Sequence, residues 1–413
     1  MPQTDPTAAA QLRLRLDCRH YRGDRPCAAG IPRACPDECG EYAAKGARIL
    51  IIKLGALGDV IRTAALLPGL KEIWARSEIT WVTLPSGVRM LANHPLIDRL
   101  LTFDAETILR LECERFDIAI CLDKEPGPAA LITRVAAASK MGIGLSEHGT
   151  VFPLNPECAA YFELGLDNQR KFHVSRKSYP QLIYEALGLR YAGQRYELYP
   201  SAHERQFAET YLRQIGVTRR PLIGLNTGAG RAFANKNWPP EKFAQLARRL
   251  MRESHAYVAL LGGPAEREIN AALARRVSGL IDCGCDHSEP RFAALLEHFT
   301  AVVTGDTMAL HAAIAMGTPV VALFGPTCEQ EIDLFGRGEK IVTGLSCAPC
   351  YRRACDLSPN CMDDIDIDAV CGAVMRCFWA TTISRDATRQ APNSSIRLPV
   401  VQGDPIAALP VGV

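Results

Sequence analysis

The stretch ARILIIKLGALGDVIRTAALLPGLKEI, residues 47–73, sets a pattern that recurs along the chain. A wholly apolar run stops at Lys53, a glycine-containing turn follows, and apolar positions then return at helical spacing. A short apolar run of this kind predicts a strand buried on both faces of a parallel sheet, with the following helix covering it. The pattern predicts strands over 48–53, 79–83 and 116–121, and helices over 58–74 and 129–138. Polar, aromatic and aperiodic residues over 188–203 predict a linker. A second series follows, with strands and turns over 221–228, 256–263, 301–306 and 318–326. Its helices fall over 239–253, 265–277, 293–299 and 307–317. The predicted class is α/β, with two Rossmann-like halves whose parallel sheets face a central cleft.

At 413 residues the chain has room for two domains, and 48% hydrophobic residues suffice for their cores. The expected organisation is a tail and Cys-rich extension over 1–46, then a first Rossmann-like domain over 47–190. A second Rossmann-like domain over 200–345 follows. A Cys-rich loop and C-terminal helix over 346–384 come next, then a tail expected to be disordered over 385–413. A net charge of +2 gives no reason to expect nucleic acid or an anionic membrane as the main partner. No stretch reaches the ~18 uninterrupted apolar residues of a membrane span, and the first 16 residues lack the apolar centre of a secretory signal. The expected location is the cytoplasm, with peripheral contact at the inner membrane face left open.

The second half holds the clearer chemistry. Asp306 ends a strand and Asp306 or Thr307 can cap the helix that follows, whose free N–H groups and dipole suit a diphosphate. Asp306 also fits a plain helix cap. In NTGAGRAFANKNW, residues 226–238, Thr227 and Gly228 end another strand and Lys236 follows, which supplies a hydroxyl, backbone amides and a cation for phosphate. LLGGPAE places Gly262 and Gly263 at a third such turn. A nucleotide bound by the second half accounts for all three turns.

In the first half the turn reads GALGD, without the spacing of a dinucleotide fingerprint, and only Glu72 or Glu78 follows where a ribose partner would stand. Asp59 at the mouth of the cleft is instead placed as a general base, taking a proton from an acceptor hydroxyl that attacks an activated sugar.

Four segments carry a resemblance: ILIIKLGALGDVIRTAALLPGLK, GLNTGAGRAFANKNWPPEKFAQLARRL, LLGGPAE and GDTMALHAAIAMGTPVVALFGPT, spread over about residues 48–327. The chain resembles the family 9 glycosyltransferases, the ADP-heptose:lipopolysaccharide heptosyltransferases among them. The resemblance implies a GT-B fold, inversion at the anomeric carbon, no catalytic metal and ADP-heptose as donor. By position it implies Asp59 as base and Thr227 and Lys236 on the phosphates. It puts Asp306, Thr307, Met308 and His311 near the donor's phosphate and sugar. The acceptor it implies is a lipopolysaccharide core or related glycan. The chain departs from the family pattern at Ala309, where a glycine is frequent, and in its cysteine clusters.

Sixteen cysteines are uneven along the chain. Cys347, Cys350, Cys355 and Cys361 follow C-x2-C-x4-C-x5-C, and Cys18, Cys27, Cys35 and Cys39 form a looser set with His20 as a spare ligand. Four thiolates in a short loop can hold structural zinc or iron, or an iron–sulfur cluster; unligated thiols are the plain alternative. Ligands drawn from both sets are a further arrangement. The other eight read as small buried apolar residues. Heptosyltransferases that modify autotransporter proteins resemble the same family and carry a cysteine-bound iron finger, which keeps a protein acceptor open. Arg22, Arg25, Arg33, Arg62, Arg89, Lys171, Arg176 and Lys177 are cations able to receive an anionic acceptor, or ordinary solvated surface. Two rival functions are a sugar-nucleotide 2-epimerase, which needs a second carboxylate beside Asp59, and a non-catalytic, metal-pinned nucleotide-sugar binding protein.

Overall fold

The computed structural model describes residues 14–30, 35, 39–218, 220–229 and 235–390, with 382–390 described as main chain. Thirteen residues at the start, Arg33 and the expected tail beyond 390 lie outside the described residues. The first sheet contains β1 (Arg48–Ile52), β2 (Glu78–Thr83), β3 (Arg99–Thr102), β4 (Arg115–Cys121), β5 (Ala136–Leu145) and β6 (Val151–Pro153). Their order is β3-β2-β1-β4-β5-β6, parallel except for β6 against β5. The second sheet contains β7 (Leu222–Asn226), β8 (Tyr257–Leu261), β9 (Ile281–Asp282), β10 (Ala301–Gly305), β11 (Val320–Phe324) and β12 (Gly338–Val342). It runs β12-β11-β10-β7-β8-β9, with parallel neighbours throughout.

The run ILII becomes β1 because it is central. β2 and β4 pair on its two sides and helices cover both faces, so Ile49 to Ile52 are almost wholly buried. Each fully buried side chain of this size stabilises the fold by about 1.5–3 kcal/mol. In both sheets the strand order reverses at one place, between β1 and β4 and between β7 and β10. Open α/β sheets bind ligands at the carboxyl ends of strands beside such reversals.

The expected helix over 58–74 is two helices, α1 (Leu57–Thr63) and α2 (Leu66–Ile73). Pro68 is the reason. It has no N–H for a continuous helix, but it is tolerated in the first turn of a new one. The expected helix over 129–138 is displaced: α5 spans Pro126–Arg134, and the alanine run after it is the start of β5, paired to β4. Among the remaining helices are α3 (Pro85–Leu91), α4 (Ala105–Cys113), α6 (Cys158–Glu163) and α7 (Tyr179–Ala186). The linker region ends earlier than its composition predicts, because Ser201 and Glu204 form a capping box that opens α8 (Ala202–Gln214).

Helix α9 (Pro240–Ser254) buries Phe243, Leu246, Ala247 and Leu250 on one stripe, and α10 (Arg267–Arg276) follows β8. Then come α11 (Glu289–Leu296), α12 (Met308–Ala315), α13 (Cys361–Asp364) and α14 (Ile367–Gln390). Helix α14 continues past residue 384, so 385–390 are helical, whereas the sequence pattern predicts a disordered tail from 385. The two halves meet where α1 packs on α12 and α3 packs on α11. One apolar core runs through the contact, with Val60 and Ile61 on one side and Leu310 and Ala313 on the other. Arg89 on α3 closes its edge with a bidentate pair to Glu289 on α11.

Candidate functional site

Helix α1 starts after β1 and helix α12 starts after β10, so two helix N-termini lie at the carboxyl ends of facing sheets. Asp59 is in the first turn of α1. Its carboxylate accepts from Arg62 Nε at 2.9 Å and pairs with Arg62 Nη2 at 2.8 Å. Burial works against its charge, but the cations Arg62 and Lys53 outweigh burial and hold Asp59 below the usual carboxylate range. Asp59 is therefore ionised near neutrality and about one-third exposed, so it is open to a substrate.

Lys53, where the apolar run stops, is buried and ion-paired to Asp123. Asp123 follows β4, and its other oxygen accepts from Leu54 N–H at 2.6 Å. The pair thus fastens the GALGD turn across the strand reversal of the first sheet. Arg62 lies over the Tyr179 ring at 3.8 Å and reaches Glu331 at 3.8 Å. Glu331 also pairs with Lys171 at 3.6 Å. Lys53, Asp59, Arg62, Lys124, Lys171 and Glu331 share an open cavity of about 350 Å³. The sequence pattern shows no second carboxylate beside Asp59, yet the fold supplies Glu331 from the second half, with Asp123 at the cavity floor.

In the second half Lys236 Nζ donates to Asp306 Oδ2 at 3.0 Å and to the Asp306 carbonyl at 3.2 Å. Burial opposes the charge on Asp306, but Lys236 leads the groups that hold its carboxyl below the usual range. Thr307 takes the N-cap position of α12 without a side-chain cap bond; its hydroxyl lies 3.2 Å from that of Thr304. Neither Asp306 nor Thr307 caps the helix through its side chain, so the cap expected at this turn is one of position only. Met308 is half-buried at the first helical position.

His311, one turn in, is buried, with Nε2 at 3.9 Å from Asp306 Oδ1 and Nδ1 at 3.4 Å from the Tyr196 hydroxyl. Burial and then the Arg62 charge press its pKa down to about 4, so it is neutral at pH 7. A Cβ on Gly58 would stand 2.6 Å from His311 Cδ2, which makes the glycine of α1 and the histidine of α12 direct neighbours across the cleft.

Thr227 is buried, and its hydroxyl is 2.5 Å from Asn270 Oδ1 and 3.3 Å from the Leu261 carbonyl. The hydroxyl expected on the phosphates is engaged inward, which leaves the backbone of the turn as the exposed part. A Cβ on Gly228 would meet Glu266 at 2.1 Å, and one on Gly262 would meet it at 2.7 Å. Gly263 N–H donates to Glu266 Oε2 at 2.9 Å. The turns after β7 and β8 are thus joined through Glu266, a residue the sequence patterns do not single out. Asn226 reaches from the first of these turns to Thr304 on β10 at 3.1 Å. Residues 230–234 of the loop before Lys236 lie outside the described residues.

Of the other cations proposed from sequence, Arg62 and Lys171 line the cavity. Arg89 pairs with Glu289, Lys177 pairs with Glu185 at 2.6 Å, and Arg25 pairs with Asp24 at 2.7 Å. The last two are ordinary surface pairs, whereas Arg89 is taken up at the edge of the contact between the halves. All sixteen cysteines are free thiols, and seven of the eight scattered ones are buried, as small apolar residues should be; Cys113 is exposed. Among the described residues no group of three or more His, Cys, Asp or Glu side chains is arranged to hold a metal ion. Among them, too, no helix is long and apolar enough to cross a membrane.

Two facing parallel sheets with the site between their carboxyl ends are the GT-B architecture of glycosyltransferases. The model of glycosyltransferase family 9 (heptosyltransferase) matches residues 107–360. The chain belongs to that family. Lipopolysaccharide heptosyltransferase 1 of Pseudomonas aeruginosa is 25% identical over 339 residues, covering 76% of this chain and 88% of that protein. The family 9 glycosyltransferase from Veillonella parvula superposes with a TM-score of 0.65 at 21% identity, over 81% of this chain and 97% of that one. TibC, an iron-containing dodecameric heptosyltransferase of enterotoxigenic Escherichia coli, was solved with ADP-D-β-D-heptose. It superposes with a TM-score of 0.51 at 13% identity, over 82% of this chain and 77% of that one.

Proposed function

We propose that this glycosyltransferase moves heptose from ADP-heptose to a hydroxyl of a lipopolysaccharide core glycan, with inversion at the anomeric carbon. The observation that carries the reading is the confrontation of α1 and α12. An ionised carboxylate, Asp59, faces a helix N-terminus flanked by Lys236 and Asp306. In this reading the diphosphate of the donor lies against the N–H groups of Met308 and Ala309, the turn at Gly228 and Lys236. Asp59 takes the proton of the acceptor hydroxyl as its oxygen forms a bond to the anomeric carbon. The bond from that carbon to the diphosphate breaks, and ADP leaves with its new charge held by Lys236 and the helix. His311, neutral and buried beside Gly58, fills the space between the helices and offers a ring nitrogen to the sugar. Gly262, Gly263 and Glu266 shape the wall of the nucleotide side.

The acceptor enters from the cavity beside Asp59, whose wall carries Lys124 and Lys171. Cations there suit an acidic glycan. The place of action in this reading is the cytoplasm, at the inner membrane face when the acceptor is lipid-linked. The relative from P. aeruginosa supports the sugar and the acceptor by its name, and the TibC complex supports ADP-heptose as donor.

The loop 347–361 is assigned one structural zinc or iron. The C-x2-C-x4-C-x5-C spacing of Cys347, Cys350, Cys355 and Cys361, which puts four thiols in one short loop, is what supports the assignment. The loop ties the halves together. Cys350 and Tyr351 N–H donate to the Pro326 carbonyl at 3.0 and 2.8 Å, and Tyr351 stacks on Phe172 at 5.2 Å. A protein acceptor is the second reading, favoured by this cysteine loop and the likeness to an iron-containing heptosyltransferase.

Purified protein titrated calorimetrically with ADP, UDP and GDP, then assayed with ADP-heptose and heptose-deficient lipopolysaccharide, tests the function. Selective ADP binding with transfer supports it. Preference for UDP or GDP overturns the sugar, and turnover of donor without any acceptor points to an epimerase.

A further inference from the structure

Residues 14–30 and 39–47 form a small structured unit ahead of β1 that is built without an apolar core. Among its described residues Cys18 alone is buried, at 6% exposure. The unit nevertheless has defined pairing. Cys18 bridges Ala44 in antiparallel fashion, Arg19 N–H donates to the Ala43 carbonyl at 2.8 Å, and Lys45 N–H donates to the Asp17 carbonyl at 2.8 Å. Ala28 N–H donates to the His20 carbonyl at 2.8 Å, which folds the segment of Cys27 back onto that of Cys18. Cys18, Cys27 and Cys39 each open a tight turn, their carbonyls accepting from Tyr21, Gly30 and Tyr42. Segments this small need a staple in place of a core, and the thiols here are free rather than paired as disulfides.

The folding brings the loose cysteine set together. Cys18, Cys27, Cys35 and Cys39, with His20, line one cavity of about 20 Å³. That volume holds a single atom-sized guest. The sulfurs line it without forming a coordination shell, and a cysteine sulfur is re-aimed by rotation about one side-chain bond. We propose that this cavity is a structural metal site in which the thiolates of Cys18, Cys27, Cys35 and Cys39 bind one zinc or iron ion. His20 stands next to them as a substitute ligand. Four thiolates suit a tetrahedral zinc or iron ion at about 2.3 Å. Arg15 at the cavity rim offsets the negative charge that four thiolates and a divalent ion leave.

The location makes the role structural. The extension borders a cleft lined by Arg48, Glu78 and Arg99, the first residues of β1, β2 and β3. That is the amino end of the first sheet, opposite to Asp59. The ion braces the base of the domain and takes no part in transfer.

Elemental analysis of the full-length protein and of a Cys27→Ser/Cys39→Ser variant tests the site. The variant should lose one equivalent of zinc or iron per chain, an equivalent that Cys347→Ser/Cys350→Ser retains. Equal metal content in the wild type and the Cys27→Ser/Cys39→Ser variant overturns the proposal. Should that variant not fold, maleimide labelling of the native wild type decides. Cys18, Cys27, Cys35 and Cys39 should label at least tenfold faster once a chelator is added. Rates unchanged by chelator, or thiols released only by reductant, overturn the site.

Discussion

Gly58 and His311 are neighbours across the cleft: a Cβ added to Gly58 would stand 2.6 Å from His311 Cδ2. Real Cβ atoms do not approach so closely, and neither partner is free to yield. The backbone of Gly58 belongs to α1, and the imidazole is buried in α12. Gly58→Ala should therefore push the two helices apart and widen the gap between Asp59 and the donor site. Overpacking of this kind costs about 1–3 kcal/mol, and a displacement near 1 Å costs about a hundredfold in rate. The expected result is a modest fall in thermal stability with a large fall in kcat. A Gly58→Ala/His311→Ala double variant should regain stability relative to Gly58→Ala, measured as a coupling between the sites. Additive losses would mean that the contact does not set the spacing.

Asp59→Asn keeps the shape of the turn and removes the base. Transfer should fall by about 10²–10⁴-fold, while ADP affinity in calorimetry stays within experimental error. Equal turnover by the variant would remove Asp59 from the mechanism.

Arg62 holds Asp59 ionised, so Arg62→Gln should raise the Asp59 pKa. Transfer requires the carboxylate, and its rate falls as pH drops through that pKa. The acid limb of the pH–rate profile should move to higher pH in the variant, with the loss larger at pH 5 than at pH 8. A limb that stays in place would assign the acid titration to another group.

Lys236 pairs with Asp306 at 3.0 Å in the structure and is positioned for the diphosphate. A charge-assisted hydrogen bond contributes about 1.5–3 kcal/mol, so Lys236→Ala should weaken ADP binding by at least tenfold. Undiminished affinity would place the phosphates elsewhere on the domain.

Much of this site was legible because it follows strand ends. Apolar runs announce β1, β7 and β10, and the polar residues that stop them, Lys53, Asn226 and Asp306, stand at the carboxyl edge. Asp59 was legible by the same rule. What escaped is what the fold joins from far apart in sequence. Asp123 matters through Lys53, 70 residues away, and Glu331 through Arg62. Glu266 was hidden because a glutamate after a GGP turn looks like any solvated helix start. The helical spacing on both sides of Pro68 predicts one helix, and the proline decides for two. The alanine run at β5 has no local strand signal; its partner β4 decides it.

Two buried histidines make stability depend on pH in a window that can be named. Burial presses the pKa of His311 down to about 4, with the Arg62 charge adding to it, and burial does the same for His94, also to about 4. In the unfolded chain both titrate near 6.5. Between pH 4 and 6.5 the unfolded state therefore binds more protons than the folded one, and stability rises with pH across that interval. A depression from 6.5 to 4 corresponds to about 3 kcal/mol for each histidine at full effect. The stability these groups withhold at low pH is restored above 6.5, where both forms are neutral. Urea unfolding at intervals from pH 4 to 8 should show the rise. His94→Gln, which lies away from Asp59 and Lys236, should flatten part of the slope between 4 and 6.5 and leave the curve above 7 parallel to the wild type. An unchanged slope would show that His94 is already protonated in the folded protein, with a partner that offsets its burial.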